Sequence, residues 1–184
     1  GIITYLRTDS TRISDEADAA ASGYIGSVYG AEYVAAGNQI KNDGKKIQDA
    51  HEAIRPTDIS RTPAAIKESL TRDQFRLYQL IWKRFVASRM QPAVYETISA
   101  RINAGEYLFT AASSRLAFDG FMSVYTDPDE EKKEKNAAVR SLEAGTKLAL
   151  EKMDPQQHFT QPPAHYTEAS LVKTLEELGI GRPS

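Results

Sequence analysis

Two kinds of apolar spacing follow each other along this chain, and they limit the folds that it can adopt. In the longest segment before Pro92, residues 72–90, apolar residues recur every three or four positions, which is the spacing of helices that bury one face. From Val94 to about Tyr125 they alternate with polar residues, which is typical of half-buried strands. A mainly helical region followed by a strand-rich region predicts the α+β class.

Capping residues mark the expected helices. Ser14 begins a helix that is expected to end near Gly30, and Thr62-Pro63 opens a short helix. Thr71 begins the longest helix, residues 72–90. The apolar stripe of that helix comprises Phe75, Tyr78, Ile81, Trp82 and Phe85.

Turn residues separate the expected strands. Residues 95–102 and 107–111 are expected to pair as a hairpin, because a turn that contains Gly105 joins them. The strand pattern continues over residues 116–125, and residues 148–153 are expected to form a further strand.

These elements suggest three domains. Residues 1–92 are expected to form a mainly helical domain with a tyrosine near its start, residues 93–166 a β-rich hinge or arch domain, and residues 167–184 the start of a further helical segment. The last helix begins at Thr167 and ends at Gly179, a residue that favours a left-handed stop. Its buried stripe is expected to comprise Leu171, Val172, Leu175 and Leu178.

Bulk composition excludes several classes of protein. The formal net charge is -2, so nucleic-acid binding cannot be argued from overall basicity and would depend on local patches. Arg72, Arg76 and Lys83 share one helix stripe, which either faces phosphates or is an ordinary solvated face.

The chain has no cysteine, which excludes disulfides and fits a reducing cytoplasm. No apolar run approaches the roughly 20 residues of a membrane helix.

Tyr5 and Arg7 are the first candidates for a functional site. Side chains alternate in an extended segment, so residues two apart project from the same side. A phenol has a reference pKa of about 10 and is a weak nucleophile at neutral pH, but a neighbouring guanidinium favours the phenolate and binds phosphate. The alternative is a tyrosine that packs by its ring at a strand end, with Arg7 paired to Asp9 on the surface.

Three sequence blocks, in a fixed order, resemble one enzyme family. Residues 4–10 have the sequence T-Y-L-R-T-D-S and are similar to the T-Y-M-R-T-D-S active-site segment of bacterial type IA DNA topoisomerases, with Leu6 in place of methionine. Residues 51–56 are similar to the H-E-A-I-R-P block of that family, and residues 166–172 and 179–184 to its Y-T-E-A-S-L-V and G-I-G-R-P-S blocks. The blocks span nearly the whole chain, which makes the resemblance specific.

The resemblance implies an enzyme that relaxes negatively supercoiled DNA without ATP. Tyr5 would attack a phosphodiester of single-stranded DNA and form a 5'-phosphotyrosyl link. Another strand would then pass through the break, and the released 3'-hydroxyl would reattack. Arg7 would stabilise the phosphate in the transition state, and His51 would handle a proton or the scissile phosphate. The expected catalytic residues are therefore Tyr5, Arg7 and His51.

The resemblance also implies a set of DNA contacts. Glu52 would help Arg55 to hold the second block in place, and His165 stands where the family usually has a phosphate-binding arginine, so no such contact is inferred there. The implied DNA-binding residues are Arg7, Thr8, Asp9, Arg55, Arg182 and Ser184. The second block and Leu6 favour the topoisomerase I branch over topoisomerase III. The implied protein is a cytoplasmic monomer.

Magnesium is expected from an amino-terminal domain of the family that this chain lacks. Residues 127–131 have the family's D-x-D-x-E magnesium pattern, but no apolar strand or helix flanks them to fix carboxylates around an ion. We therefore expect residues 127–136 to be a charged surface loop and the chain to bind no metal. The chain is expected to be a fragment that does not relax supercoils by itself.

Two other classes stay open on the residues alone. A tyrosine recombinase or relaxase would also use a phenol and arginines, but the recombinases need a spread arginine-histidine-arginine set and the relaxases a histidine triad, and neither is found. A non-catalytic module for single-stranded DNA would use the basic residues without chemistry. His51 beside Glu52 is also compatible with a hydrogen-bonded structural pair.

Overall fold

The fold is α+β, as predicted from the change in apolar spacing. The structure, a computed structural model, describes residues 1–7, 10–35, 51–126 and 136–180. These residues form helices and one antiparallel pair of strands, and none of the described helices is long and apolar enough to span a bilayer. They divide into two compact units, Gly1–Ser141 and Leu142–Ser184. The three domains expected from the sequence stay a prediction: residues 1–92, 93–166 and 167–184.

The first two helices begin at the predicted capping residues. Helix α1 (Asp15–Val28) begins at Ser14, whose hydroxyl oxygen accepts a hydrogen bond from the backbone N–H three residues on. Helix α2 (Pro63–Ile66) begins in the same way at Thr62. Such side chains satisfy N–H groups that the first helical turn leaves without partners, which is why both starting points could be predicted.

Helix α3 (Arg72–Ser88) is the longest helix of the described chain. It begins with a capping box in which the side chains of Thr71 and Gln74 each bond the other residue's backbone N–H. The helix ends two residues before the predicted end, because Met90 leaves it to form a bridge with Val34.

The core of the first unit is built around α1 and α3. Its buried members are Ile25, Tyr78, Trp82, Val86 and Met90. Tyr24 packs edge-on against Trp82, with ring centroids 5.5 Å apart. Burying an aliphatic side chain such as Ile25 contributes about 1.5–3 kcal/mol, so this cluster fixes the two helices against each other.

The polar tips of two core aromatics fasten the loop that precedes α2. The Tyr78 hydroxyl donates to the Arg61 carbonyl at 2.6 Å, and the Trp82 indole N–H donates to the Ile59 carbonyl at 3.1 Å. Burial raises the pKa of the Tyr78 phenol, and the Asp58 carboxylate adds to the effect. Because this loop directly follows the second sequence block, the core sets the position of that block.

The strand-rich region is a hairpin of β1 (Val94–Ala104) and β2 (Tyr107–Phe118), which confirms the predicted pairing and extends it at both ends. Gly105 lies in the turn with a φ of +63°, a conformation that favours glycine. The strand predicted over residues 116–125 ends at its third residue, since Gly120–Ser123 turns into a 3₁₀ helix.

In the second unit, residues 142–167 form no helix or strand, and helix α4 (Glu168–Glu177) begins at the predicted cap and stops at Gly179 with a φ of +70°. The strand predicted at residues 148–153 is wrong, because this segment pairs with no described strand. The predicted burial of the α4 stripe is also wrong. Leu171, Val172 and Leu178 are 44%, 53% and 67% exposed and only Leu175 is half-buried, since the unit offers no second described helix or strand to cover them.

Candidate active site

Tyr5 lies on the surface of the first unit and is 81% exposed. The guanidinium carbon of Arg7 lies 5.7 Å from the centroid of the Tyr5 ring. This contact agrees with the prediction that residues two apart project from one side of an extended segment. The phenol is thus accessible to a large substrate and has a cation beside it, which does not fit the alternative of a tyrosine that packs by its ring at a strand end; the alternative pairing of Arg7 with Asp9 lies outside the described residues.

Backbone pairing fixes the segment before Tyr5. The N–H of Thr4 donates to the Arg55 carbonyl at 2.9 Å, and Ile3 forms an antiparallel bridge with Pro56. Thr4 and Arg55 are 51 positions apart in the sequence. The tyrosine segment therefore takes its position from the second sequence block.

The side chain of Thr4 makes further contacts with the same block. Its hydroxyl donates to the Ala53 carbonyl at 2.9 Å and accepts from the Arg55 N–H at 3.0 Å. A single oxygen thus bonds backbone groups two residues apart. The sequence pattern does not predict these bonds, because they join residues about 50 positions apart.

Ser10 makes the corresponding contact after the tyrosine. It is 7% exposed, and its hydroxyl donates to the His51 carbonyl at 2.7 Å. The N–H of Arg12 donates to the Ser10 oxygen at 3.2 Å, while the Arg12 carbonyl accepts from the Ala53 N–H at 2.8 Å. The structure therefore brings the first two sequence blocks together, with the block that begins at half-buried His51 held from both flanks of Tyr5.

An ion pair braces the second block from within. The Arg55 guanidinium donates through Nε and Nη2 to one carboxylate oxygen of Glu52, at 3.0 and 2.6 Å. Its Nη1 donates to the Pro56 carbonyl at 3.0 Å, and the Arg55 side chain is 13% exposed. Charge-assisted bonds of this kind are about twice as strong as neutral ones, so the pair stiffens the backbone beside Tyr5.

Comparison with known proteins decides the family. The model of a family described as DNA topoisomerase matches residues 1–184. The chain belongs to the bacterial DNA topoisomerases. Its fold is similar to that of full-length topoisomerase I from Thermotoga maritima, with 38% identity and a TM-score of 0.70. The match covers 99% of this chain and 28% of the Thermotoga chain, so the chain corresponds to only part of that enzyme.

The predicted resemblance to the type IA topoisomerases is confirmed, whereas the individual DNA contacts of this topoisomerase chain stay predictions. On α3, Arg72 and Arg76 are exposed and Lys83 is half-buried, so the stripe can meet either solvent or phosphate, as the sequence left open. Four predicted contact residues lie outside the described residues: Thr8, Asp9, Arg182 and Ser184.

The described residues of this topoisomerase chain form no site that fits a magnesium ion. Among them, no group of three or more histidine, aspartate or glutamate side chains gathers closely enough to hold a metal ion. The D-x-D-x-E stretch, residues 127–131, lies outside the described residues.

A cleft of about 340 Å³ opens beside the second block, between the start of α1 and residues 55–59. Hydrogen bonds from the hydroxyl and N–H of Ser60 hold the pKa of Asp58 in its wall below the usual value, and Arg61 adds to the effect. Glu16 contributes a second carboxylate. The Arg55 side chain also lines the cleft, so its wall carries charges of both signs.

Proposed function

We propose that this chain carries the nucleophile of a type IA DNA topoisomerase, which cleaves one strand, passes another strand through the break and reseals it, thereby relaxing negative supercoils without ATP. The proposal depends on one observation: the exposed phenol of Tyr5 has Arg7 over its ring and is flanked by two segments bonded to the block that contains His51. Membership of the topoisomerase family supports the same reaction.

The proposed step is a transesterification. The Tyr5 oxygen attacks phosphorus and loses its proton, the bond from phosphorus to the 3'-oxygen breaks, and that oxygen takes up a proton. The product is a 5'-phosphotyrosyl ester and a free 3'-hydroxyl. Resealing is the reverse, so the energy of the DNA bond is kept in the ester and no ATP is needed.

Cations beside the phenol have a defined task in this step. The attacked phosphorus passes through a state with extra negative charge on its oxygens, and fixed positive groups stabilise that state more than the starting ester. We assign this task to Arg7 and, from the sequence block alone, to Arg182. His51 is assigned a proton or a contact with the scissile phosphate.

The remaining DNA contacts are proposed for Arg55 and the residues around the third block. Among the described residues, the bonds to Glu52 and Pro56 use three of the five N–H groups of Arg55, which leaves two for a phosphate. Thr8, Asp9 and Ser184 complete the proposed contacts. The proposed substrate is single-stranded DNA exposed by negative supercoiling.

The isolated chain is proposed to fold but not to relax DNA. Magnesium belongs to the proposal only as an ion held by another part of the full-length protein, since no described group here fits it. We place that protein in the cytoplasm as a monomer.

Covalent trapping tests the proposal. Full-length protein that carries this chain is mixed with a radiolabelled single-stranded oligonucleotide, denatured and resolved by electrophoresis. We expect a DNA adduct that maps to Tyr5 and disappears in Tyr5→Phe. Oligonucleotide binding without any adduct would instead identify a non-catalytic module for single-stranded DNA. Supercoil relaxation by the isolated chain would contradict the assignment of magnesium to another part.

A further inference from the structure

We propose that Thr4 is a positioning residue that holds Tyr5 in its reactive place, an inference that rests on the proposed function. Thr4 directly precedes the nucleophile and is half-buried. Four hydrogen bonds join it to the second block, one through its N–H and three through its hydroxyl, of which the contact with the Arg55 carbonyl is the longest at 3.4 Å. The hydroxyl therefore limits both the distance and the rotation between the Tyr5 segment and the block that contains His51.

The hydroxyl takes the place of a backbone partner. The bridge between Ile3 and Pro56 is flanked by a hydrogen bond from the Thr4 N–H to the Arg55 carbonyl. In a continuing antiparallel ladder, the Arg55 N–H would donate in return to the carbonyl oxygen of Thr4. Here it donates to the Thr4 hydroxyl at 3.0 Å. The side chain thus ends the ladder one residue before Tyr5, and the tyrosine leaves the pairing.

This ending accounts for the exposure of the nucleophile. A ladder that continued through Thr4 would draw the Tyr5 backbone along the second block. Instead, the ladder ends at Thr4, and the next bond to this block among the described residues is at Ser10, whose hydroxyl donates to the His51 carbonyl. The phenol therefore projects from a segment that is held at both ends.

Two substitutions of Thr4 separate the hydroxyl from the shape of the side chain. Thr4→Val keeps the shape and removes the hydroxyl, whereas Thr4→Ser keeps the hydroxyl. Thr57→Val is the matched control, because the Thr57 hydroxyl donates to the Gly1 carbonyl at 3.1 Å at the other end of the same paired segments. All three are made in the full-length protein.

The measurement is the single-turnover rate of covalent adduct formation at saturating oligonucleotide, together with the Kd for that oligonucleotide and the Tm. We expect Thr4→Val to lower the rate about 10- to 100-fold, as a shift of about 1 Å in a reacting group does, with the Kd unchanged. Thr4→Ser is expected to restore most of the rate, and Thr57→Val to keep all of it.

A wild-type rate in Thr4→Val, or a loss in Thr4→Ser equal to that in Thr4→Val, would overturn the role of the hydroxyl. If the Tm shows that the valine variant does not fold, Thr4→Cys replaces it, because a thiol is a weak donor and a weak acceptor. Equal rates for the serine and cysteine variants would then overturn the proposal. Absence of an adduct in the wild-type protein would count against the proposed function instead.

Discussion

The hydroxyl of Tyr33 donates a 2.7 Å hydrogen bond to a carboxylate oxygen of Asp119. The ring of Tyr33 also packs on Phe118, the last residue of β2, with centroids 4.8 Å apart. Its carbonyl accepts from the N–H of Gln91 at 2.8 Å, just after α3. One tyrosine therefore joins the helical part of the first unit to the base of the hairpin.

This contact predicts loss of stability at alkaline pH. The hydrogen bond to Asp119, assisted by burial, raises the pKa of Tyr33 above its ordinary value. A raised pKa stabilises the fold while the phenol is protonated. The contribution is complete below about pH 10, the value for an unfolded tyrosine, and is lost as the pH rises through the folded-state pKa.

Urea unfolding from neutral to strongly alkaline pH checks this prediction. We expect Tyr33→Phe to lose less unfolding free energy at alkaline pH than the wild type does. The loss that remains in this variant is assigned to Tyr24 and Tyr78, whose pKa values are also raised, chiefly by burial. Tyr107→Phe, which replaces an exposed tyrosine at the hairpin turn, is the control. Identical pH curves for the wild type and Tyr33→Phe would contradict the role of the Asp119 contact.

Gly120→Ala is expected to destabilise the protein far more than Gly105→Ala. Both glycines have positive φ, +50° and +63°, so alanine costs about 1–2 kcal/mol at either position. A Cβ at Gly105 meets nothing within 4 Å, whereas one at Gly120 would lie 2.4 Å from the Gln91 carbonyl oxygen and 2.6 Å from that of Pro92. Forcing these atoms apart adds about 1–3 kcal/mol. Chemical denaturation measures the unfolding free energy of both variants. Equal losses would show that the backbone around Gly120 shifts to accommodate the methyl group without an added cost.

Asp18→Asn is expected to cost about 1–3 kcal/mol of unfolding free energy, because it removes the charged partner of a buried guanidinium. Nη1 of Arg89 donates to Asp18 at 3.0 Å, and the Arg89 side chain is only 10% exposed. Arg115→Gln is the control, since Arg115 and Glu96 are 59% and 49% exposed and such pairs contribute about 0–1 kcal/mol. If Asp18→Asn and Arg115→Gln lost similar amounts of unfolding free energy, the burial of Arg89 would not strengthen its ion pair with Asp18.

Arg7→Ala and Arg55→Ala are expected to differ in stability more than in DNA binding. Each variant that loses a phosphate contact should reduce the slope of log K against log salt by about 0.7, the value per contact with a single strand. Arg7 is exposed, so its loss should leave stability within about 0.5 kcal/mol. Arg55→Ala also leaves Glu52 without its partner, at a cost of about 1–3 kcal/mol. Salt titrations of oligonucleotide binding, paired with unfolding curves, check both statements; an unchanged slope in Arg7→Ala would remove it from the DNA contacts.

The elements that the sequence predicted correctly are those whose stabilising contacts are local. Ser14, Thr71 and Thr167 each bond the backbone three residues away, so their helix starts are visible in a short window. The hairpin follows from one glycine turn between two alternating runs. Alternation alone says nothing about a pairing partner, which is why the strand expected at residues 148–153 does not exist in the described chain.

The sequence predicted the candidate site only through the motifs that resemble those of a known family. The three blocks pointed to Tyr5, Arg7 and His51 through resemblance to a family. The two hydroxyl contacts that hold the segment, at Thr4 and Ser10, join residues 49 and 41 positions apart. Such pairs depend on the tertiary fold, and neither apolar spacing nor capping rules encode them.

The bond between Thr4 and Ala53 also determines when the nucleophile acquires its surroundings. Bringing together chain positions 49 residues apart costs loop entropy, and contacts of such separation slow folding. During synthesis, Tyr5 therefore emerges from the ribosome before Ala53 does. The hydrogen bond that holds the residue before Tyr5 can form only after the intervening stretch has been translated.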